Sequence, residues 1–64
     1  MKYPIDNSDF QVFLGQHGFE PKQLTSSHFV FSNGTIKLEI PKDEQLTEEV
    51  VRELLKITGL TDEE

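Results

Sequence analysis

The spacing of hydrophobic residues changes along the chain, and each spacing predicts a different kind of element. Between Phe10 and Leu14, apolar residues recur three and four positions apart, which is the spacing of one face of a helix. Over residues 35–40 apolar and polar residues alternate, as in a strand with one buried face. From Val50 to Leu55 the helical spacing returns. The pattern therefore predicts a helix, then strands, then a second helix.

The first predicted helix has recognisable signals at both ends. Asn7 or Ser8 can cap its start by accepting a hydrogen bond from a free N–H group, and Gly18 suits a left-handed position after its end. His17 lies in the last turn, where a positive partial charge suits the helix dipole, so we expect a structural role for it. The predicted core-facing residues are Phe10, Phe13 and Leu14.

Three strands are predicted between the helices, over residues 19–25, 28–32 and 35–40. Pro21 has no N–H to donate to a neighbouring strand, which makes the first of them an edge strand or an irregular one. The second and third should form a hairpin around Asn33-Gly34, because a type I′ turn needs positive φ at both central residues. The prediction is a three-stranded antiparallel sheet.

The alternation of side chains assigns the residues of the second strand to two faces. Phe29 and Phe31 should face the core, and His28 and Val30 should lie on the opposite, solvated face. In the third strand the residues expected to face the core are Ile36, Leu38 and Ile40. His28 is thus an accessible histidine on a strand, and its surroundings matter most for function.

The second helix has the clearest signals. Thr47 is the predicted N-cap, and Glu48 and Glu49 follow in the first turn, where carboxylates complement the helix dipole. Gly59 is placed as a C-terminal glycine, and Leu60 is expected to fold back on the core ahead of a solvated acidic tail. The predicted core stripe is Val50, Val51, Leu54 and Leu55.

These elements fit one α+β domain over residues 1–64, with a core from about residue 8 to residue 60. We expect residues 1–7 to be a polar lead and residues 42–45 to be a loop. The chain has no Cys and only two His residues without ligand spacing, so neither a metal site nor a cofactor is expected. Without a long apolar run or a signal-peptide core, the expected location is cytoplasmic, with no membrane contact.

Charge limits the partners. Twelve acidic and six basic residues give a net charge of −6, the wrong sign for holding nucleic acid by electrostatics alone. Ordinary binding of double-stranded RNA is disfavoured further, because such domains place basic residues at the start of the second helix, where this chain has Glu48 and Glu49.

Several short motifs occur in the order of a known family. Gly18-Phe19 follows the first helix, Ser27-His28 opens the central strand, and Phe31 places an aromatic ring three residues after the histidine. Ile40-Pro41 ends the third strand, and residues 54–60 close the second helix with a Gly-Leu pair. With these motifs the chain resembles the HicA (YcfA-like) family of bacterial mRNA-interferase toxins, whose fold is similar to that of double-stranded-RNA-binding domains.

The resemblance implies a function and a site. The matching histidine of the family is catalytic, so His28 would be the general base that cleaves RNA, without a metal or cofactor. It also implies a HicB-type antitoxin as protein partner. Compared with the family, Ser26 replaces a glycine and residues 42–44 are less basic, so RNA binding should be weak and transient. The candidate substrate-binding residues are Ser26, Ser27, Lys22 and Lys37.

A second interpretation belongs to a different class of function. A domain of the same fold could be a non-catalytic interaction module that binds a protein through its sheet face and its acidic surface. An adjacent gene for an antitoxin-like protein would favour the toxin interpretation.

Overall fold

The computed structural model describes residues 1–60 and confirms the predicted α+β order of helix, three-stranded antiparallel sheet and helix. The acidic tail predicted after Leu60 lies outside the described residues. The helices are α1 (Asn7–Gln16) and α2 (Glu48–Thr58), and the strands are β1 (Ile5–Asp6), β2 (Glu20–Leu24), β3 (His28–Ser32), β4 (Lys37–Pro41) and β5 (Gln45–Leu46). The larger sheet has the order β2-β3-β4, with both pairs antiparallel.

Both helices pack against one face of this sheet. The sheet contributes Phe31, Leu38 and Ile40 to the core, and Leu60 packs against the same cluster as predicted. The helical and adjoining residues of the core are Phe10, Leu14, Phe19, Val51, Leu54 and Leu55, whereas Phe13 and Val50 are only half-buried. The opposite face of the sheet, which carries His28, is not covered by this core cluster.

Three of the four predicted helix ends are confirmed. The Thr47 side chain accepts a hydrogen bond from the Val50 N–H, and Gly59 ends α2 with a φ of 77°. After α1, Gly18 has a φ of 88°, and the N–H of Phe19 donates to the Leu14 carbonyl at 3.0 Å. This pattern closes a helix with a left-handed residue that glycine adopts without strain.

The predicted cap of α1 is wrong. The N-cap is Asp6, whose side chain makes no capping hydrogen bond, and Asn7 is already helical. The Asn7 N–H, one of the free donors of the first turn, donates instead to the Glu44 carbonyl at 2.9 Å. The Asn7 side chain is buried and donates to the carbonyls of Pro41 at 2.8 Å and Asp43 at 2.7 Å. Asn7 therefore connects α1 by hydrogen bonds to the end of β4 and to the segment that follows it.

Replacing Asn7 by alanine should lower the free energy of unfolding by about 1–3 kcal/mol, because the carbonyls of Pro41 and Asp43 lose their donor. The matched control is Ser8→Ala, the same truncation at the next position, which is exposed and should change stability by less than about 0.5 kcal/mol. Urea denaturation of both variants measures the difference. Equal midpoints for the two variants would contradict this role of Asn7.

A second, two-stranded sheet is absent from the sequence-based prediction. β1 pairs antiparallel with β5, with Ile5 opposite Leu46 and Asp6 opposite Gln45. Leu46 is 1% exposed and belongs to the core. The predicted polar lead and loop were wrong here, because strands of two residues are too short to show a two-residue period.

The turn of the hairpin also differs from the prediction. Asn33 does not have the positive φ of a type I′ turn, and Gly34 alone does, at 95°. The side-chain oxygen of Asn33 accepts hydrogen bonds from the N–H groups of Thr35 and Ile36, at 2.9 and 2.7 Å. Asparagine favours such local turns, and here the loop widens so that β4 begins at Lys37.

Candidate active site around His28

His28 is the first residue of β3 and lies opposite Pro41 of β4. The predicted alternation is confirmed, since Phe29 opposes Ile40 on the core face while Val30 opposes Glu39 on the other face. The His28 side chain is half-buried on this second face.

The face that carries His28 is less solvated than predicted. Val30 lies on it, yet it is only 5% exposed. β3 is the central strand, so Val30 lies between Gln23 and Glu39, whose longer side chains flank it on the neighbouring strands. His28 therefore neighbours an apolar residue on its own strand face.

The backbone before His28 is fixed by Thr25. The Thr25 hydroxyl oxygen accepts hydrogen bonds from the N–H groups of Ser27 at 3.3 Å and His28 at 2.9 Å. The N–H and hydroxyl of Thr25 both donate to the His28 carbonyl, at 3.0 and 3.1 Å. A threonine that forms such a turn gives the backbone of residues 25–28 a defined conformation. That conformation determines the position from which the His28 side chain extends.

The imidazole ring has one engaged nitrogen and one open nitrogen. Nδ1 lies 2.7 Å from the hydroxyl oxygen of Ser27. Within residues 1–60, Nε2 makes no hydrogen bond. The ring is thus held by one side and can receive a ligand on the other.

His28 lines a shallow surface groove of about 450 Å³, called here the His28 groove. Its other lining residues come from β4 and α2 and are Glu39, Pro41, Glu49, Val50, Glu53 and Leu54. Its lining is partly apolar and includes three carboxylates in addition to the histidine. An isolated phosphate entering from this side would meet charges of its own sign.

Two of the predicted substrate-binding residues lie beside His28. Ser26 and Ser27 directly precede it and are exposed. The Ser26 side chain forms no hydrogen bond with any residue that the structure describes, so its hydroxyl is available to a ligand.

The two predicted lysines lie elsewhere. Lys22 forms an ion pair with Glu20 at 3.5 Å and lines a different groove, on the β2 side of the sheet. Lys37 is at the opposite end of β4 from Pro41, so about 13 Å of strand separates it from the position facing His28, at about 3.3 Å per residue. The structure does not bring either lysine together with His28.

Lys42 is joined through its backbone to the loop before His28, and sequence reasoning did not select it. Its N–H donates to the Ser27 carbonyl at 3.3 Å, and its ammonium lies 5.7 Å from the centre of the Phe29 ring. The pairing of His28 with Pro41 places the next residue beside Ser27. The hairpin register was thus the signal that could have identified Lys42.

The second histidine occupies a structural position, as expected. His17 Nδ1 lies 3.0 Å from the Phe13 carbonyl, and its ring centre is 4.6 Å from that of Phe13. These contacts cover the end of α1 and leave His28 as the histidine of the groove.

Ligand classes can also be judged from the described part of the chain. Among residues 1–60, no group of three or more histidine, aspartate or glutamate side chains is arranged to hold a metal ion. Neither helix in this range has the length and apolar character to cross a membrane.

Comparison of the chain with protein-family models, with curated proteins and with solved structures finds no match.

Proposed function

We propose that this chain is a HicA-like toxin, an endoribonuclease that cleaves mRNA with His28 as general base. The observation that carries the proposal is the His28 imidazole, held through Nδ1 by Ser27 with Nε2 open at a surface groove. The motif order described above supports it, together with a fold of the expected element order.

The chemistry needs one base and some neutralisation of charge. His28 Nε2 takes the proton of a ribose 2′-hydroxyl, and the 2′-oxygen bonds to the adjacent phosphorus. The bond from phosphorus to the 5′-oxygen then breaks, and that oxygen takes a proton from water, which leaves a 2′,3′-cyclic phosphate and a 5′-hydroxyl. The protonated His28 returns its proton to solvent, so the base is regenerated. Neutral imidazole is abundant near pH 7, which suits it to this role.

The groups nearest His28 define the approach of the phosphate. The hydroxyls of Ser26 and Ser27 directly precede His28 in the loop before β3, whereas the carboxylates that line the groove belong to β4 and α2. Hydroxyl donors at this position would stabilise the charge that develops on the phosphate oxygens. With hydroxyl donors and no cation among the lining residues of the groove, RNA binding is weak and transient, as a net charge of −6 also requires.

The proposal includes a partner and a place. A ribonuclease that attacks cellular mRNA needs an inhibitor, and the resemblance makes that inhibitor a HicB-type antitoxin in the cytoplasm. Lys22 and Lys37 remain proposed RNA contacts for nucleotides beyond the cleaved one, because each lies away from His28 on the sheet.

The direct test incubates the purified chain with mRNA and identifies the new ends. Cleavage that yields 2′,3′-cyclic phosphate and 5′-hydroxyl ends, unaffected by a metal chelator, is the expected result. Intact RNA after incubation with a folded protein at low salt would overturn the proposal.

Removing one carboxylate from the His28 groove should tighten RNA binding. Glu49 lines the groove, and Glu49→Gln should raise the affinity about two- to fivefold, which corresponds to about 0.4–1 kcal/mol for one exposed charge. Glu48→Gln is the matched control, because Glu48 is the neighbouring residue but forms an ion pair with Arg52 at 2.7 Å. Titration of labelled RNA at low salt measures both, and a gain confined to Glu48→Gln would contradict the expected approach of RNA.

The acidic lining of the groove favours a second function. A non-catalytic interaction module would use Glu39, Glu49 and Glu53 to bind lysine or arginine side chains of a protein partner. In that case, glutamine substitutions in the groove would weaken partner binding, while His28→Ala would leave cellular mRNA and growth unchanged. The toxin function predicts a large effect of His28→Ala on both.

A further inference from the structure

We infer that Ser27 is a positioning residue that holds neutral His28 in the tautomer with its proton on Nδ1, so that Nε2 carries the lone pair that acts as base. The inference rests on the proposed ribonuclease function of the same site. It deepens that function by assigning which nitrogen reacts and what orients it.

The contact between Ser27 and His28 can be made in two ways. In one, the hydroxyl donates to Nδ1, which places the ring proton on Nε2. Neither nitrogen could then take a proton from a ligand in the groove, since one lone pair is engaged and the other nitrogen is protonated. In the other, Nδ1–H donates to the hydroxyl oxygen, and Nε2 is a free acceptor. A general base at the open nitrogen requires the second arrangement.

The backbone on both sides of Ser27 is held by hydrogen bonds, which fixes the position from which its hydroxyl reaches the imidazole. The Ser27 N–H donates to the Thr25 hydroxyl at 3.3 Å, and the Ser27 carbonyl accepts from the Lys42 N–H at 3.3 Å. Both backbone groups of Ser27 are therefore engaged, the N–H within the turn and the carbonyl with the segment after β4. Because the Ser27 oxygen accepts from His28, its own proton is free to donate to a phosphate oxygen.

The same hydrogen bond gains strength during the reaction. When Nε2 takes the proton of the ribose hydroxyl, the ring becomes an imidazolium, and Nδ1–H becomes a charged donor to the Ser27 oxygen. Hydrogen bonds from charged donors are stronger than neutral ones. An interaction that strengthens towards the transition state accelerates the step, because it does not stabilise the ground state equally.

The first readout is spectroscopic and needs no substrate. In protein labelled with ¹⁵N, long-range ¹H–¹⁵N correlations of the His28 ring, recorded above neutral pH, identify which nitrogen carries the proton. We expect Nδ1–H in the wild type, a shift towards Nε2–H in Ser27→Ala, and recovery of Nδ1–H in Ser27→Thr, which keeps the hydroxyl. Ser26→Ala is the matched control, because it removes an exposed hydroxyl that makes no hydrogen bond among the described residues.

The second readout is the rate of RNA cleavage under single-turnover conditions. Ser27→Ala should lower the rate about five- to tenfold, the difference between a charge-assisted and a neutral hydrogen bond, with Ser27→Thr close to wild type. An Nε2–H ring in the wild type, or the same tautomer in wild type and Ser27→Ala, would overturn the inference and leave the ribonuclease proposal standing. Absence of cleavage by the wild type would overturn the ribonuclease proposal, and the tautomer would still decide whether Ser27 holds the ring as inferred.

Discussion

Replacing His28 by alanine is expected to abolish toxicity and to lower the rate of RNA cleavage by about 10²–10⁴-fold, the usual contribution of a general base. The variant removes the nitrogen that takes the ribose proton. His28 is outside the core cluster and half-buried, so the fold should survive the change. The measurement compares growth and mRNA levels after induced expression of each variant without the antitoxin, followed by cleavage assays on purified protein.

His17→Ala is the matched control for this experiment. It removes the same side chain from an exposed position at the end of α1, where the imidazole contacts Phe13. We expect it to retain toxicity and cleavage. If the wild type and His28→Ala were equally harmless, with equal amounts of folded protein, the interaction module would be the better account.

The second large effect is on stability. Leu46 is 1% exposed in the core, and Leu46→Ala should lower the free energy of unfolding by about 2–5 kcal/mol, through lost burial and the cavity left behind. Small domains have a total stability of the same order, so the variant should be largely unfolded at 37 °C. Thermal and urea denaturation followed by circular dichroism measure the loss.

Leu24→Ala is the control with the same chemical change on another strand. Leu24 is 65% exposed on the edge strand β2, so its truncation should shift stability by less than about 0.5 kcal/mol. A melting temperature of Leu46→Ala close to that of Leu24→Ala would show that β5 does not contribute to the core.

The parts of the fold that could be predicted are those with enough residues to show a period. α2 displays its stripe and both caps in the sequence, and the alternation in β4 identifies Leu38 and Ile40 as core residues. β1 and β5 could not be predicted, because each has two residues and its partner lies far along the chain. The cap predicted at Asn7 was wrong for a related reason. Its side chain donates to the carbonyl of Pro41, at the end of β4, and to that of Asp43, and no local sequence pattern indicates these partners.

The candidate site likewise has a part that could be predicted from the sequence and a part that could not. His28 and its two serines are consecutive, so their proximity follows from the chain itself, and the strand period correctly assigned His28 to the face away from the core. The carboxylates of the groove come from β4 and α2, and Lys42 comes from the segment after Pro41. How close these residues come to His28 depends on the register between β3 and β4 and on how α2 packs. Composition and local motifs specify neither.

The pairing of β1 with β5 has a consequence for the order in which the chain folds. Asp6 and Gln45 are 39 positions apart, so the pairing of their strands has to close a long loop. The β2-β3-β4 sheet, by contrast, is made of neighbouring segments whose contacts close short loops and form readily. α1 also waits for the carbonyls of Pro41, Asp43 and Glu44 that hold Asn7. Among the described elements, α1 is thus one of the last to be fixed in place, although it precedes the three-stranded sheet in the sequence.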